Sequence, residues 1–367
     1  MRGSRLLRLL LLSMNLLLII TLLISDIAPF VDPNSLLFPA FFGLTFLPLF
    51  VLNLGYAIFW LIMRPNYVLF GIIALIISTP NLMNHMSFGS GIHQEGRVKV
   101  VSLNVRLFDL YDWTNNEETR NDILDFLKEE DADIICFQEY FTSDAPDVSN
   151  TTDTLLDVQD AKNLHEHFTA VIHGGRHKFG IATLTKYPIV SKGVIPLDTA
   201  GNNAAIYTDL IVERETLRVI NVHLASIHLS ALEKEIDEHI ERNDQQKQWG
   251  DLKLLMRKLA GGYKKRANQI IEIERFIKHS PYPVLFCGDL NDTPGSYAYQ
   301  RISSTLNDAF KANGKGLGTS YIGYYPSLRI DFMMSDPSLE NVSFETMDVR
   351  LSDHRPLVGE FVWGARK

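Results

Sequence analysis

Residues 284–296 read VLFCGDLNDTPGS. An apolar run from Val284 to Cys287 ends at Gly288, and Asp289, Asn291 and Asp292 then arrive together, with Pro294 and Gly295 behind them. Two readings compete. Asp, Asn, Gly and Pro are the residues of turns, so the cluster can be no more than the end of a strand. Alternatively, the strand carries core in its body and chemistry at its tip. The rest of the chain decides between them.

Working outward, other apolar runs end the same way. VKVVSL closes on Asn104, DIICF on Gln138 and Glu139, and LRVINV on His223, while Asp331 opens RIDFMMS and Asp353-His354 precedes PLVGEFVW. These runs read as strands by length and by Val, Ile and Phe content, as do FGIATLTKYPIV and AIYTDLIV. Glu117 to Glu130, residues 231–279 for the most part, and Ser296 to Leu306 read as helices. Strand runs follow one another without a helix between each pair. That pattern predicts an α/β protein of the α+β type, with mixed sheets in a sandwich and helices outside, rather than a doubly wound parallel sheet. Polar tips on six runs imply one shared rim.

The tips are chemically coherent. Glu139, Asp289, Asn291 and Asp353, with Asn104, offer the hard oxygen ligands that suit Mg²⁺ or Mn²⁺. His223 and His354 are suited to hydrogen-bonding a phosphate, and Asp331 to fixing a histidine tautomer. The two cysteines, Cys136 and Cys287, sit in apolar runs and read as buried thiols, so a soft-metal site is not indicated. Ser102, Ser226 and Ser352 lie near these motifs without the GxSxG context of a serine hydrolase.

The first part of the 367-residue chain is different. Three apolar stretches, about 6–24, 40–63 and 67–83, predict three transmembrane helices in a membrane anchor spanning 1–83. Residues 84–96 read as a polar, Gly-rich linker, and 97–367 as the catalytic domain. Arg2, Arg5 and Arg8 precede the first stretch and Arg64 lies between the second and third. The loop between the first two holds Asp26 and Asp32 and no basic residue. The positive-inside rule then places the N-terminus in the cytoplasm and the domain outside it, in the periplasm of a Gram-negative cell. The net charge is −8, and the first 96 residues hold four Arg against Asp26, Asp32 and Glu95, so the remainder carries about −9. Such a balance disfavours a sequence-independent grip on nucleic acid, which needs a basic face.

Together SLNV, FQEY, NVHLAS, GDLNDTP, RIDFMM and SDHRPL, in that order, resemble the endonuclease/exonuclease/phosphatase superfamily, which includes deoxyribonuclease I, abasic-site endonucleases, neutral sphingomyelinases and inositol polyphosphate phosphatases. The resemblance covers about residues 97–363, and GDLND with SDHRP is its specific part. It implies a four-layered α/β sandwich of two mixed sheets flanked by helices. It also implies a metal-dependent phosphoesterase that hydrolyses a phosphodiester or phosphomonoester by in-line attack of water. On this resemblance Glu139 is the main metal ligand, supported by Asn104 and Asp353. Asp289 polarises the water or holds a second ion, and Asn291 positions a phosphate oxygen. Asp331 and His354 form a pair whose histidine contacts phosphate. His223 is similar to a second histidine of the deoxyribonuclease and sphingomyelinase branches, where the abasic-site branch uses a tyrosine. The implied substrate is a lipid head group, an envelope sugar-phosphate or nucleic acid; the implied cofactor is Mg²⁺ or Mn²⁺, and no obligate protein partner is indicated. The alternatives are an endonuclease acting on DNA or RNA and a catalytically silent scaffold on the same fold. Inositol-phosphatase signatures are not apparent, since DTPGS follows GDLN.

Three further features have a functional and a bland reading. HGGRHKFG (His173 to Gly180) reads as a basic rim loop or a solvated turn, and the turn is preferred. His165 and His167 in LHEHF have a suggestive spacing, but residues two apart do not share a helix face. Within 231–260, Trp249, Leu252, Leu255, Met256 and Leu259 form an apolar helical stripe beside Lys247, Lys253, Arg257 and Lys258. That stripe is either core packing on a sheet or a basic amphipathic lid against the membrane surface.

Overall fold

A computed structural model of the chain describes residues 2–89, 97–113, 116, 118–145, 150–197, 201, 203–227, 245–323 and 327–364. It divides into two units, 1–86 with 292–300, and 87–291 with 301–367.

In the first unit the apolar stretches form α1 (Arg2–Ile27), α2 (Phe38–Leu44), α3 (Phe46–Met63) and α4 (Leu69–His85). The second stretch is divided at Thr45, and Pro39 and Pro48 each fall in the first turn of a helix, where a missing N–H costs little. Arg5–Phe30 and Phe46–Met63 are long and apolar enough to cross a membrane, while Leu69–His85 is a shorter apolar helix. Ile19, Leu22, Phe46 and Ala74 make a small core. Leu6, Leu17, Val51, Ile62, Phe70 and Ile76 face outward. Two polar ties hold the helices: Asn53 Nδ2 donates to the Leu18 carbonyl at 3.0 Å, and Asp26 accepts from Ser78 Oγ at 2.5 Å and Asn81 Nδ2 at 3.2 Å. Gly43 lies so close to Gly295 that a Cβ there would strike the Gly295 carbonyl.

The second unit begins with β1 (Ser87–Phe88), so the expected linker at 84–96 is partly structured: α4 continues to His85 and β1 pairs with β11 (Lys315–Gly316). Residues 90–96 of that linker lie outside the described residues. Then follow β2 (Val98–Asn104), α5 (Thr119–Glu130), β3 (Ile134–Ser143), α6 (Thr151–Val158), β4 (Asn163–Ile172), β5 (His177–Thr185), β6 (Ile189–Val194), β7 (Ala204–Val212) and β8 (Glu215–His223). The chain continues through α7 (Gln245–Lys278), β9 (Val284–Asp289), a short helix at Tyr297–Ser303, β10 (Asn307–Asp308), β12 (Asp331–Ser335), β13 (Leu339–Thr346) and β14 (Leu357–Trp363).

One sheet runs β10-β12-β9-β8-β7-β6 and the other β13-β14-β2-β3-β5-β4. Both are mixed: β8–β9 and β2–β3 are parallel, and the other pairs antiparallel. Between them lies a core of Val98, Val100, Ile134, Cys136, Leu217, Val219, Leu285, Cys287 and Met333. Both cysteines are buried and free, as their apolar settings require. On the far face of the second sheet, Ile123, Leu124, Phe126 and Leu127 of α5 pack with Val101, Leu103, Ile135 and Phe137. On the first sheet, Phe276 of α7 meets Tyr207 of β7, ring centroids 5.0 Å apart. The result is the four-layered sandwich.

Two departures have clear causes. FGIATLTKYPIV is not one strand. It crosses between sheets at Lys186–Pro188, where proline cannot extend a ladder, and gives β5 to one sheet and β6 to the other. LHEHF lies in β4, where residues two apart do share a face. His165 nevertheless has a structural partner: its Nδ1 lies 2.9 Å from Thr208 Oγ1 of the opposite sheet, and burial drives its pKa down to about 4, so the ring is neutral.

A second inter-sheet tie lies deeper. The pairing of β3 with β5 slips between Phe137 and Tyr140, and Glu139 takes φ 49°, a bulge that lets both aromatic residues pack in the same core cluster. Asn221, fully buried in β8, donates through Nδ2 to the Ala182 carbonyl at 2.9 Å and the Phe137 carbonyl at 3.2 Å, and accepts from Gln138 Nε2 at 2.8 Å. Replacing it with Leu strands several buried polar groups at about 1–3 kcal/mol each. The thermal midpoint of Asn221→Leu is expected to fall by about 2–4 °C for each kcal/mol lost. An unchanged midpoint in differential scanning fluorimetry would mean the network is not holding the sheets.

Candidate active site

The strand tips do converge. In register, His223 of β8 stands opposite Asp289 of β9, and Asp289 opposite Asp331 of β12, so three tips share one edge. The parallel approach of β8 and β9 demands Gly288: it takes φ 145°, and a Cβ would run into the Val222 backbone. In the other sheet Asn104 pairs with Gln138, beside Glu139 on its bulge. The two edges meet where Asn104 Nδ2 donates to Asp289 Oδ2 at 3.1 Å and lies 3.4 Å from Glu139 Oε1.

Each of the eight expected residues belongs to this constellation, with different partners. Asp331 Oδ2 lies 2.8 Å from His354 Nδ1, the carboxylate–imidazole pair expected from the sequence. That contact leaves His354 Nε2 pointing toward Asp289 Oδ2, 3.9 Å away. His223 Nε2 stands 3.7 Å from Glu139 Oε1 and 3.8 Å from Asp289 Oδ2. It is buried without a hydrogen-bond partner among the described residues. Asn291, at φ 51°, closes an Asx turn through its N–H to Asp289 Oδ1 at 2.7 Å, and its Nδ2 donates to the Leu224 carbonyl at 3.1 Å. Asp353 pairs with Arg106 Nη1 at 3.3 Å.

The sequence places Asn104 among the oxygen ligands, but the structure turns it the other way. Its Oδ1 accepts from the Arg106 N–H at 3.1 Å and its amide N–H group faces the carboxylates, so Asn104 aligns Glu139 and Asp289 as a donor. Four further residues support the constellation. Ser352 Oγ donates to the Asn104 carbonyl at 2.7 Å and accepts from the His354 N–H at 2.8 Å, joining the SDH loop to β2. Ser320 Oγ accepts from the Asp331 N–H at 3.0 Å. Gln138 and Asn221 underlie the bulge. Ser352, Gln138 and Asn221 lie inside the SDHRPL, FQEY and NVHLAS motifs, but their partners are seen only once the sheets are folded together; Ser320 lies outside every motif, and Arg106 is two residues after Asn104.

The charges are in tension. Burial pushes the Asp289 carboxyl up to about 6, and the neighbouring Asp331 charge adds to the rise while both histidines oppose it. Burial raises Asp353 as well, against the pull of His354 and Arg106. Burial also opposes charge on His354, but Asp331, with Asp289 and Asp353, outweighs it and holds the imidazolium up to about 10. A set of hard carboxylate oxygens that cannot all ionise comfortably suits a divalent cation. Glu139, Asp289 and Asp353 are residues that could hold one. The closest acid–histidine group is Asp289, Asp331 and His354, with ligand atoms within 4.8 Å, but its Asp331–His354 pair already satisfies Nδ1 and is better read as an oriented histidine.

A family model described as the endonuclease/exonuclease/phosphatase family matches residues 101–354, an interval that contains all eight residues. The chain belongs to that family, and is a hydrolase acting on phosphoester bonds. A model of a domain of unknown function matches residues 7–85. A search of curated proteins finds no match. Solved structures share the fold. The human Nocturnin catalytic domain with bound sulfate anion is 17% identical over 74% of this chain and 95% of its own, with TM-score 0.54. An endonuclease/exonuclease/phosphatase from Bacteroides vulgatus is 19% identical over 73% of this chain and 99% of its own, with TM-score 0.52. Humanized D. rerio TDP2 is 14% identical over 72% and 98%, with TM-score 0.51.

The Asp331–His354 pair is directly testable. Asp331→Asn keeps the shape but no longer favours the charged ring. Turnover is expected to fall by about 10²–10⁴-fold, the span for a lost proton-handling group, with little change in KM. Steady-state kinetics on bis(p-nitrophenyl) phosphate read this; a variant within twofold of wild type removes the pair from the chemistry.

Proposed function

We propose that the chain is a membrane-anchored, divalent-metal-dependent phosphoesterase whose site faces away from the cytoplasm. The observation that carries the catalytic reading is the convergence of Glu139, Asp289, His223, whose Nε2 has no hydrogen-bond partner among the described residues, and the Asp331-held His354 at the meeting of two sheet edges. Glu139 is the main holder of Mg²⁺ or Mn²⁺, with Asp353 and Asp289 beside it and Asn104 keeping Glu139 and Asp289 aligned. When bound, the ion neutralises phosphate charge and stabilises the leaving oxygen.

The chain's own groups do the rest. Asp289, with its carboxyl raised toward neutrality, orients the attacking water and accepts its proton. His354, kept cationic by Asp331, faces the phosphate and stabilises the charge that develops there, and His223 Nε2 hydrogen-bonds a second phosphate oxygen. Asn291, fixed by its own turn, positions a third. Domain organisation follows the sequence reading, a three-span anchor before a catalytic domain. Outward-facing Leu, Ile and Phe on helices of such apolarity support a bilayer as their solvent. Among phosphoesters, the acidic charge of the domain favours lipid head groups or envelope sugar-phosphates over long nucleic acids.

Glu139→Gln keeps volume and removes the charge a divalent ion needs. Hydrolysis of bis(p-nitrophenyl) phosphate by the full chain in detergent, abolished by EDTA and restored by Mg²⁺, is expected to drop at least a hundredfold in this variant. Full activity with an unchanged response to EDTA would falsify Glu139 as the ligand. A second measurement tests topology. Alkaline phosphatase fused after Lys367 is expected to be active and green fluorescent protein dark. The opposite pair means that Leu69–His85, the shortest apolar helix, does not cross.

A further inference from the structure

Helix α7 is long, Gln245–Lys278, about 50 Å at 1.5 Å per residue. One apolar stripe runs along it. From Leu259 through Tyr263, Ala267, Ile270, Ile273 and Ile277 the stripe is buried. Towards the N-terminus the same stripe continues as Met256, Leu252 and Trp249, spaced by four and three, and there it is bare: Trp249 is 66% exposed, Leu252 45% and Met256 39%. The periodicity is that of a core helix throughout, and the core ends partway along it.

The bare end is also basic. Lys253 and Arg257 are exposed one turn apart and lie just beside the stripe, with exposed Lys264 further along the same side. Asp251 is the acid among residues 249–258. A large aromatic, two aliphatic side chains and a flanking row of long cations make the composition of a helix lying in a membrane interface, where the cations reach the head groups and the apolar side sinks below them. A protein-facing stripe needs no such row of like charges in a domain that is otherwise acidic.

Helix α7 is tied to the active site at a definite point. Ala225, two residues after His223, donates its N–H to Gln269 Oε1 at 2.9 Å and accepts from Arg266 Nη1 at 3.0 Å. Leu224 between them donates to the Asp289 carbonyl at 2.9 Å and accepts from Asn291 Nδ2. Gly262 sits where a Cβ would come within 2.9 Å of Arg266 Nη1, so the helix is kept clear at this clasp. Ten residues separate Arg266 from Met256, and the bare stripe therefore begins about 15 Å along the helix from the rim of the site.

We propose that the N-terminal end of α7, through Trp249, Leu252 and Met256 with Lys253 and Arg257, binds an anionic lipid surface and holds the site rim at the head-group layer. The inference rests on the reading that the chain is held in a bilayer, and names the surface from which the site draws its phosphoester.

The test uses the full chain in nanodiscs. Trp249→Cys is labelled with the environment-sensitive dye NBD; Cys136 and Cys287 are buried and stay unlabelled. In phosphatidylglycerol discs the emission is expected to shift to the blue relative to phosphatidylcholine discs. Adding Lys253→Glu with Arg257→Glu is expected to erase the difference. Leu252→Asp with Met256→Asp is expected to remove the shift in both, while bis(p-nitrophenyl) phosphate turnover stays within twofold. Emission indifferent to lipid charge and to both double variants overturns the proposal, as does a shift that appears only when two copies share a disc. A chain that fails to enter the discs at all overturns the bilayer reading instead, so the two failures are distinct.

Discussion

Everything at the site hangs on the slip in β3. A regular strand would alternate Phe137, Gln138, Glu139 and Tyr140 between faces and send Glu139 toward the outer helices. The bulge prevents this: Phe137 and Tyr140 both stay in the outer core, Glu139 swings to a positive φ, and its carboxylate reaches the edge where the sheets meet. A bulge leaves backbone groups without ladder partners, and Asn221 of the opposite sheet takes two nearby carbonyls while Gln138 closes the network. The position of one carboxylate is thus held by hydrogen bonds across the thickness of the sandwich. They sit in a dry, fully buried place where an unmet donor is expensive.

The same device recurs on the other sheet in a different form. Gly288 lets β9 lie against β8, Asp289 follows, and Asn291 turns back at positive φ to cap it. In both sheets the carboxylate lies at or beside a backbone irregularity, Glu139 on its bulge and Asp289 between Gly288 and Asn291. Polar groups at that point can face the shared edge without breaking the apolar layer behind them.

This explains what was legible in the sequence and what was not. Apolar runs with acid, Asn or His at their tips are local patterns, and they pointed to the tip-bearing strands and to the eight residues that the fold brings together, but not to β4 or β13. The turn of Asn104 from ligand to donor depends on Arg106 and on two carboxylates from distant strands, so no local pattern carries it. Ser352, Ser320 and Asn221 reach partners 248, 11 and 84 residues away. The division of FGIATLTKYPIV between sheets was marked by Pro188, a signal present in the sequence but outweighed by the continuity of apolar residues. β4 is polar, histidine-bearing and only partly buried along its length, so it lacks the apolar run that marks the tip-bearing strands.

Charge gives the last constraint. Glu139, Asp289, Asp331 and Asp353 belong to one rim, where the His354 ring and Arg106 supply positive charge. Arg106 is occupied by Asp353, and the His354 charge by Asp331. A phosphoester is itself an anion, and on these groups alone its approach to such a site is unfavourable. Burial is the main cause of the raised carboxyls of Asp289 and Asp353, and the neighbouring charges of Asp331 and Glu139 add to it. A divalent cation held by Glu139 would offset this surplus of negative charge and favour the ionised form of the neighbouring carboxyls, Asp289 among them. Electrostatic balance therefore supports the proposed ion alongside the chemistry of the carboxylate oxygens.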